Sequence, residues 1–258
     1  MKNKIIELKQ YGNLFVELVR KGIKLKYRRS YLGVIWSMVE PLLTMIVLTL
    51  VFGTLLGHKE KSFPVYILAG RLIYSLFSLS STAALKSIRN NQGMIKKVFV
   101  PKYLYPLSAI TFNYILFLIS LVVLFGVSLV LGIYPTWRIF LAIIPLINLF
   151  LFTVGVGLIL ATVGVFFRDM EYLWSVLLML IMYTCAIFYY PEKILNSGVS
   201  WILKYNPLYC IIANFRNCVF GNAFDYSMLL YSFGFALVAI IVGTFIFEKN
   251  QDKFILYI

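Results

Sequence analysis

Ionisable residues are scarce in this chain. Only 13% of its 258 residues are charged, against about 25% in an ordinary soluble domain. Ten are Asp or Glu, His58 is the only histidine, and the three cysteines are Cys185, Cys210 and Cys218. Each shortage excludes something. One His and scattered acids are poor material for a metal site, which needs clustered ligands. Nothing marks a Ser nucleophile paired with His58 or a lysine as its base. The acids fall in loops or near the ends of apolar runs, so a proton relay at mid-membrane has no members. An odd, widely spaced set of cysteines gives neither a disulfide framework nor a zinc spacing, and they read as small buried hydrophobes. No G-x-x-x-x-G-K-[ST] occurs, so no phosphate loop is present and any ATP belongs on another chain.

What is abundant is apolar: 61% of residues are hydrophobic and 17% aromatic. The chain reads as an all-α integral membrane protein. Six runs approach the roughly 20 residues that a span requires: about 34–57, 63–84, 104–132, 139–167, 172–190 and 226–247. That divides the chain into a cytosolic N-terminus, 1–30, and a six-span domain, 31–258. The opening MKNKIIELKQ lacks the short apolar core of a cleavable signal, so the first span is expected to act as its own insertion signal. With both termini inside, 17 of the 24 Lys and Arg face the cytosol and six face outward, Arg71 lying within a span. The positive-inside rule therefore orients N- and C-termini to the cytosol. It also accounts for the net charge of +14 without nucleic acid as a partner.

Residues 11–28 have helical periodicity, with Tyr11, Leu14, Phe15, Leu18, Val19 and Leu25 on one face. Glu17, Arg20, Lys21, Lys24 and Arg28 share the other. The expectation is an amphipathic helix in the cytosolic interface, its cations toward anionic headgroups; packing on a soluble partner is the other reading. Arg28 and Arg29 hold the chain inside, Gly33 allows the turn into the span, and Trp36 suits the headgroup layer. Pro41 removes an N–H and crowds the residue 37 carbonyl, which predicts a kink. Glu40, within one turn of the interface, is expected to reach water or a cation.

Between spans two and three runs KSIRNNQGMIKKVFVPK, punctuated by Asn90, Asn91 and Gly93. A short helix here fits a partner's groove through Met94, Ile95 and Val98; a basic loop on lipid is the alternative. Arg168 and Asp169 form a second short cytosolic turn, pairing with each other or with the N-terminal helix. Arg71 is the one charge that looks deep, with two readings open: contact with an anionic substrate group, or snorkelling to the outer interface. Tyr74 and Phe77 follow it on the same span and are candidates for an aromatic path along which sugars slide. From Pro207 to Val219 the apolar run has 13 residues, about 20 Å of helix, too short to cross. Asn206 suits an N-cap and Pro207 the first helical position. Two short re-entrant helices before the last span are expected here.

Four stretches resemble a known family in order and spacing: KYRRSYLGVIWSMVEPLL, NNQGMIKKVFVPKYLYPLS, GVFFRDMEYLW and KYNPLYCIIANFRNCVF. They are similar to segments of ABC-type polysaccharide and polyol phosphate export permeases, the membrane subunits that export O-antigen or teichoic acid. The stretch AGRLIYSLF departs from the family, which often has an apolar Pro-Trp type sequence there. The resemblance implies a type-2 ABC exporter permease fold in the bacterial cytoplasmic membrane. It implies a homodimer with two copies of a separate ATPase, which carries ATP and Mg. The substrate it implies is a lipid-pyrophosphate-linked polymer. Contact with the ATPase is expected from the N-terminal helix, at Arg20 and Lys24, and from Asn90, Asn91, Met94, Ile95, Lys96 and Lys97. A stand-alone channel or secondary carrier, or a drug or ion exporter of the same fold, is the alternative reading.

Overall fold

In a computed structural model, residues 11–28, 30–57, 60–97, 100–195 and 198–257 are described. Among them the secondary structure is helical throughout. The elements are α1 Gly12–Tyr27, α2 Trp36–Leu56, α3 Phe63–Asn90, α4 Gln92–Ile95, α5 Leu104–Val130 and α6 Ile143–Phe166. They continue with α7 Met170–Thr184, α8 Glu192–Leu195, α9 Trp201–Lys204, α10 Pro207–Phe220, α11 Tyr226–Asn250 and α12 Phe254–Tyr257. Arg29, His58 and Val98 lie outside the described residues.

Five helices, counting their 3-10 lead-ins, are long and apolar enough to cross a membrane: Gly33–Thr54, Phe63–Asn90, Leu104–Val130, Trp137–Phe166 and Tyr226–Tyr257. Helix is the form these sequences must take in lipid, because it satisfies every backbone group within the segment. The expected fifth span is shorter than its apolar run suggests. α7 has 15 residues, about 22 Å of helix, and ends six residues before 190. Irregular backbone follows, including Ala186 at φ 48°. α3 runs the other way from expectation, past 84 to Asn90.

α3 is the most enclosed of the long helices and α2 the least. α6 and α11 make the tightest pair, because small residues face each other. A Cβ on Gly155 would lie 2.5 Å from the Ala239 carbonyl carbon, and one on Gly243 2.5 Å from the Gly155 carbonyl oxygen. Close backbone approach of this kind replaces the hydrophobic effect as the glue between helices in lipid. Above it, Asn148 Nδ2 donates to Ser232 Oγ at 2.8 Å.

Pro41 lies inside α2, which remains helical on both sides of it. The Ser37 carbonyl, which Pro41 deprives of its usual donor, accepts the Ser120 hydroxyl of α5 at 2.7 Å. The turn into α2 is made at Gly33, φ 51°, and Trp36 stands exposed at its start.

α1 turns part of its apolar face onto the protein. Leu18 and Val19 are buried, and Tyr11, Leu14 and Phe15 pack on a cluster with Ile88, Tyr105 and Phe254. Only the terminal Leu25 stays exposed. α1 therefore rests on the lower half of α5 and the end of α3, and its charged face, with Arg20, Lys24 and Arg28, points outward. Arg20 pairs with Glu17 at 2.9 Å. The C-terminal turn closes the same cluster: Phe254 is fully buried against Phe247 and Phe166, and Lys102 Nζ donates to the Gln251 carbonyl at 2.6 Å.

At the outer end, Asn206 caps α10 as expected, its side chain accepting from Leu208 N and Tyr209 N, with Pro207 at the first position. α10 is buried along most of its length, and α8 and α9 are single turns. Arg138 donates to the Gly221 carbonyl at 2.7 Å. Tyr190 donates to Glu60 at 2.9 Å.

Candidate functional site

A polar groove runs along one side of this apolar body. Its lower part, a cavity of about 520 Å³ between α1, α3 and α5, is lined by Lys21, Lys26, Lys86 and Asn90 together with Ser78, Thr82, Ser108 and Asn113. Its upper part narrows where α2 joins, between Glu40, Arg71, Ser75 and Ser120. Lys26, Leu79 and Asn113 line both parts, so the two cavities adjoin. From Lys86 to Arg71 is 15 residues of α3, about 22 Å of helix.

Serine, threonine and asparagine can face such a groove because most of these hydroxyls and amides satisfy themselves on their own helix. Ser87 Oγ donates to the Ala84 carbonyl at 2.7 Å and Asn113 Nδ2 to the Ala109 carbonyl at 3.0 Å. Lys86 is paired with Glu171, and Lys21, Lys26 and Arg71 against Glu40 leave the groove positive; low-dielectric walls strengthen such a field. Partial burial lowers the pKa of the Lys26 ammonium, and the charge of Glu40 opposes that shift. Glu40 is exposed. The arrangement suits an anionic group, with hydroxyl and amide partners for a polar chain.

The structure redistributes the expected residues. Arg71 is half-buried at the groove's upper end, its Nη1 3.6 Å from Met182 Sδ and its guanidinium 5.6 Å from the Tyr74 ring. It is not the only deep charge. Arg216, which sequence places in an outer loop, is 4% exposed. It donates to the Tyr66, Ala186 and Ile187 carbonyls and lies 3.4 Å from the Tyr66 ring centre. Tyr74 and Phe77 sit in the packed core rather than on an open wall. The Tyr74 hydroxyl donates to the Leu178 carbonyl at 2.8 Å, and Phe77 stacks on Phe152.

The segment after α3 divides into an anchor and a display face. Ile95, expected to reach a partner, is buried in the chain's own cluster with Leu18 and Phe254, and Met94 packs beside it. Asn90, Gln92, Gly93, Lys96 and Lys97 are exposed, and Asn91 Nδ2 donates to the Ser87 carbonyl at 2.8 Å. No ion pair joins Arg168 to Asp169 or to α1 among the described residues. The acid that works at this turn is Glu171, which bonds Lys86 at 2.8 Å and also Arg89. Sequence reasoning missed Glu171, Lys26 and Ser120. A lone acid opening an apolar helix, opposite two cations at another helix end, is the signal that was there to be read.

Residues 13–220 match the ABC-2 type transporter family. The chain is 30% identical over 246 residues to an O-antigen export system permease protein RfbA of Klebsiella pneumoniae, covering 94% of this chain and 93% of that one. It is 28% identical over 250 residues to the RfbA of Myxococcus xanthus, 96% of each. It is 24% identical over 248 residues to the polysialic acid transport protein KpsM of Escherichia coli, covering 91% of this chain and 92% of that one. The likeness runs nearly end to end and takes in the groove, α4 and the α6–α7 turn. The chain belongs to the ABC-2 type transporter membrane family.

Proposed function

We propose that this chain is the permease subunit of an ATP-driven exporter that carries a lipid-linked cell-surface polysaccharide across the bacterial cytoplasmic membrane. The observation that carries the reading is the pair of adjoining cavities between Lys86 and Arg71, which bring lysine, arginine, serine and asparagine side chains to one side of an otherwise apolar body. The substrate class follows relatives named for O-antigen export and polysialic acid transport. Phosphate groups on a lipid carrier suit Lys26 and Arg71, and sugar hydroxyls suit the serines and Asn113.

The chain has no nucleotide loop of its own, so two copies of a separate ATPase, with ATP and Mg, supply the work. Their docking surface is the exposed face of α4, at Asn90, Lys96 and Lys97, with the outward cations of α1, Arg20 and Lys24. The bare face of α2 suits pairing with a second copy, which closes the groove into a path. α7 and the irregular residues after it together make the fifth of six crossings, with both termini in the cytosol. In cells lacking this chain, the wild-type gene should restore surface polymer only beside an active ATPase. Restoration with a dead nucleotide site rejects the proposal.

A further inference from the structure

α7 is held to α3 by a polar bond on nearly every turn. From the cytosolic end upward, Glu171 pairs with Lys86 and Arg89, and Trp174 Nε1 donates to Ser81 Oγ at 3.0 Å. The Tyr74 hydroxyl donates to the Leu178 carbonyl, and Arg71 Nη1 lies against Met182 Sδ. Beyond the helix end, the Tyr66 hydroxyl donates to the Ala186 carbonyl at 3.2 Å. Residues 171, 174, 178 and 182 recur at steps of three and four, one face of a helix. Elsewhere α7 is largely bare: of its 15 residues only Trp174 and Leu178 are buried. The ladder is therefore what positions α7, and Glu171 is its one acidic rung.

That rung stands beside the proposed ATPase dock. Lys86 and Arg89 occupy the last two turns of α3, and α4 begins at Gln92. Glu171 lies in the first turn of α7. Glu171 and Arg89 are mostly shielded, at 27% and 20% exposed, so solvent weakens their pair less than at a free surface, whereas Lys86 is 41% exposed. We infer that Glu171 is a positioning residue that joins α7 to the coupling end of α3. A push on α4 then turns α3 and α7 together and reshapes the groove wall at Arg71. The inference rests on the ATPase-driven permease reading, in which α4 receives that push.

The test uses the full permease with its ATPase in lipid vesicles, loaded with lipid-linked surface polymer extracted from the source cells. ATP hydrolysis and polymer translocation are measured on the same vesicles. Glu171→Gln should keep hydrolysis within about twofold while translocation falls about tenfold, the size of an ordinary coupling between sites. Reversing the pair that lies outside the groove, with Glu171→Arg alongside Arg89→Glu and Lys86 kept, should restore translocation. Normal translocation in Glu171→Gln overturns the inference, as does a parallel fall of both activities. Should Glu171→Gln fail to assemble, the reversed variant decides: recovery supports the joint and continued failure overturns it. A wild-type complex that hydrolyses ATP but moves no polymer rejects the permease reading itself, and the joint with it.

Discussion

The Ser120 hydroxyl occupies the place that Pro41 leaves empty, donating at 2.7 Å to the Ser37 carbonyl on the neighbouring helix. Ser120 Oγ also lies 3.0 Å from the Leu116 carbonyl on its own helix, so α5 offers a hydroxyl already held in position. A proline within α2 thus becomes a tie between α2 and α5, beside the groove's upper end.

That tie predicts a coupling. Ser120→Ala should destabilise the protein by about 1–2 kcal/mol, leaving a buried carbonyl unpaired. In a Pro41→Ala background residue 41 supplies the missing N–H, so the same substitution should lose more than half its effect. Thermal unfolding in detergent across the four proteins of this double-mutant cycle measures the coupling. Equal losses in both backgrounds contradict the account.

Arg216 holds the outer end of α7 in place. Its guanidinium joins the Tyr66, Ala186 and Ile187 carbonyls, and Gly70 leaves the room, since a Cβ there would collide with Arg216 Nη2. Arg216→Gln should cost about 3 kcal/mol or more, with three carbonyls losing a charged donor. Lysine retains the charge without the planar fork and should fall between. Gly70→Ala should resemble Arg216→Gln in melting temperature, and a wild-type value in Gly70→Ala counts against this packing.

The α6–α11 contact predicts a contrast between two glycines. Gly155→Val forces side-chain atoms onto the Ala239 backbone, whereas nothing lies within 4 Å of a Cβ on Gly126. Overpacking at a tight site costs about 1–3 kcal/mol. Folded yield on size-exclusion chromatography should collapse for Gly155→Val and hold for Gly126→Ala.

Much of this was legible in the sequence, and the exceptions share a cause. The Asn206–Pro207 start of α10 and the long spans depend on neighbours within a few residues, so local pattern reveals them. The end of α7 does not. The apolar run continues to 190, but Asn206 reaches the Thr184 hydroxyl and Cys185 Sγ at 3.3 Å, and Arg216 takes up the Ala186 carbonyl. Partners 20 to 30 residues away fix that boundary. Likewise Glu171 meets Lys86 across 85 positions of chain, and burial of Arg216 rests on carbonyls that carry no sequence mark. The apolar face of α1 was visible, but periodicity cannot say whether lipid or protein covers it.

Arg71 carries the substrate reading most directly within the groove. Arg71→Gln should reduce polymer export about tenfold or more, since a charged hydrogen bond in a shielded site contributes about 1.5–3 kcal/mol, and Arg71→Lys should retain part of it. Surface polymer per cell, normalised to permease in the membrane, reads the effect. Full export in Arg71→Gln removes this residue from the substrate path.

The central claim is that this chain supplies a path and a separate ATPase supplies the work. Purified permease in vesicles, with lipid-linked polymer on the cytosolic-equivalent face, should translocate none when alone. With the ATPase and ATP it should translocate steadily, and it should stop with a non-hydrolysable analogue. Sustained translocation by the permease alone contradicts the claim.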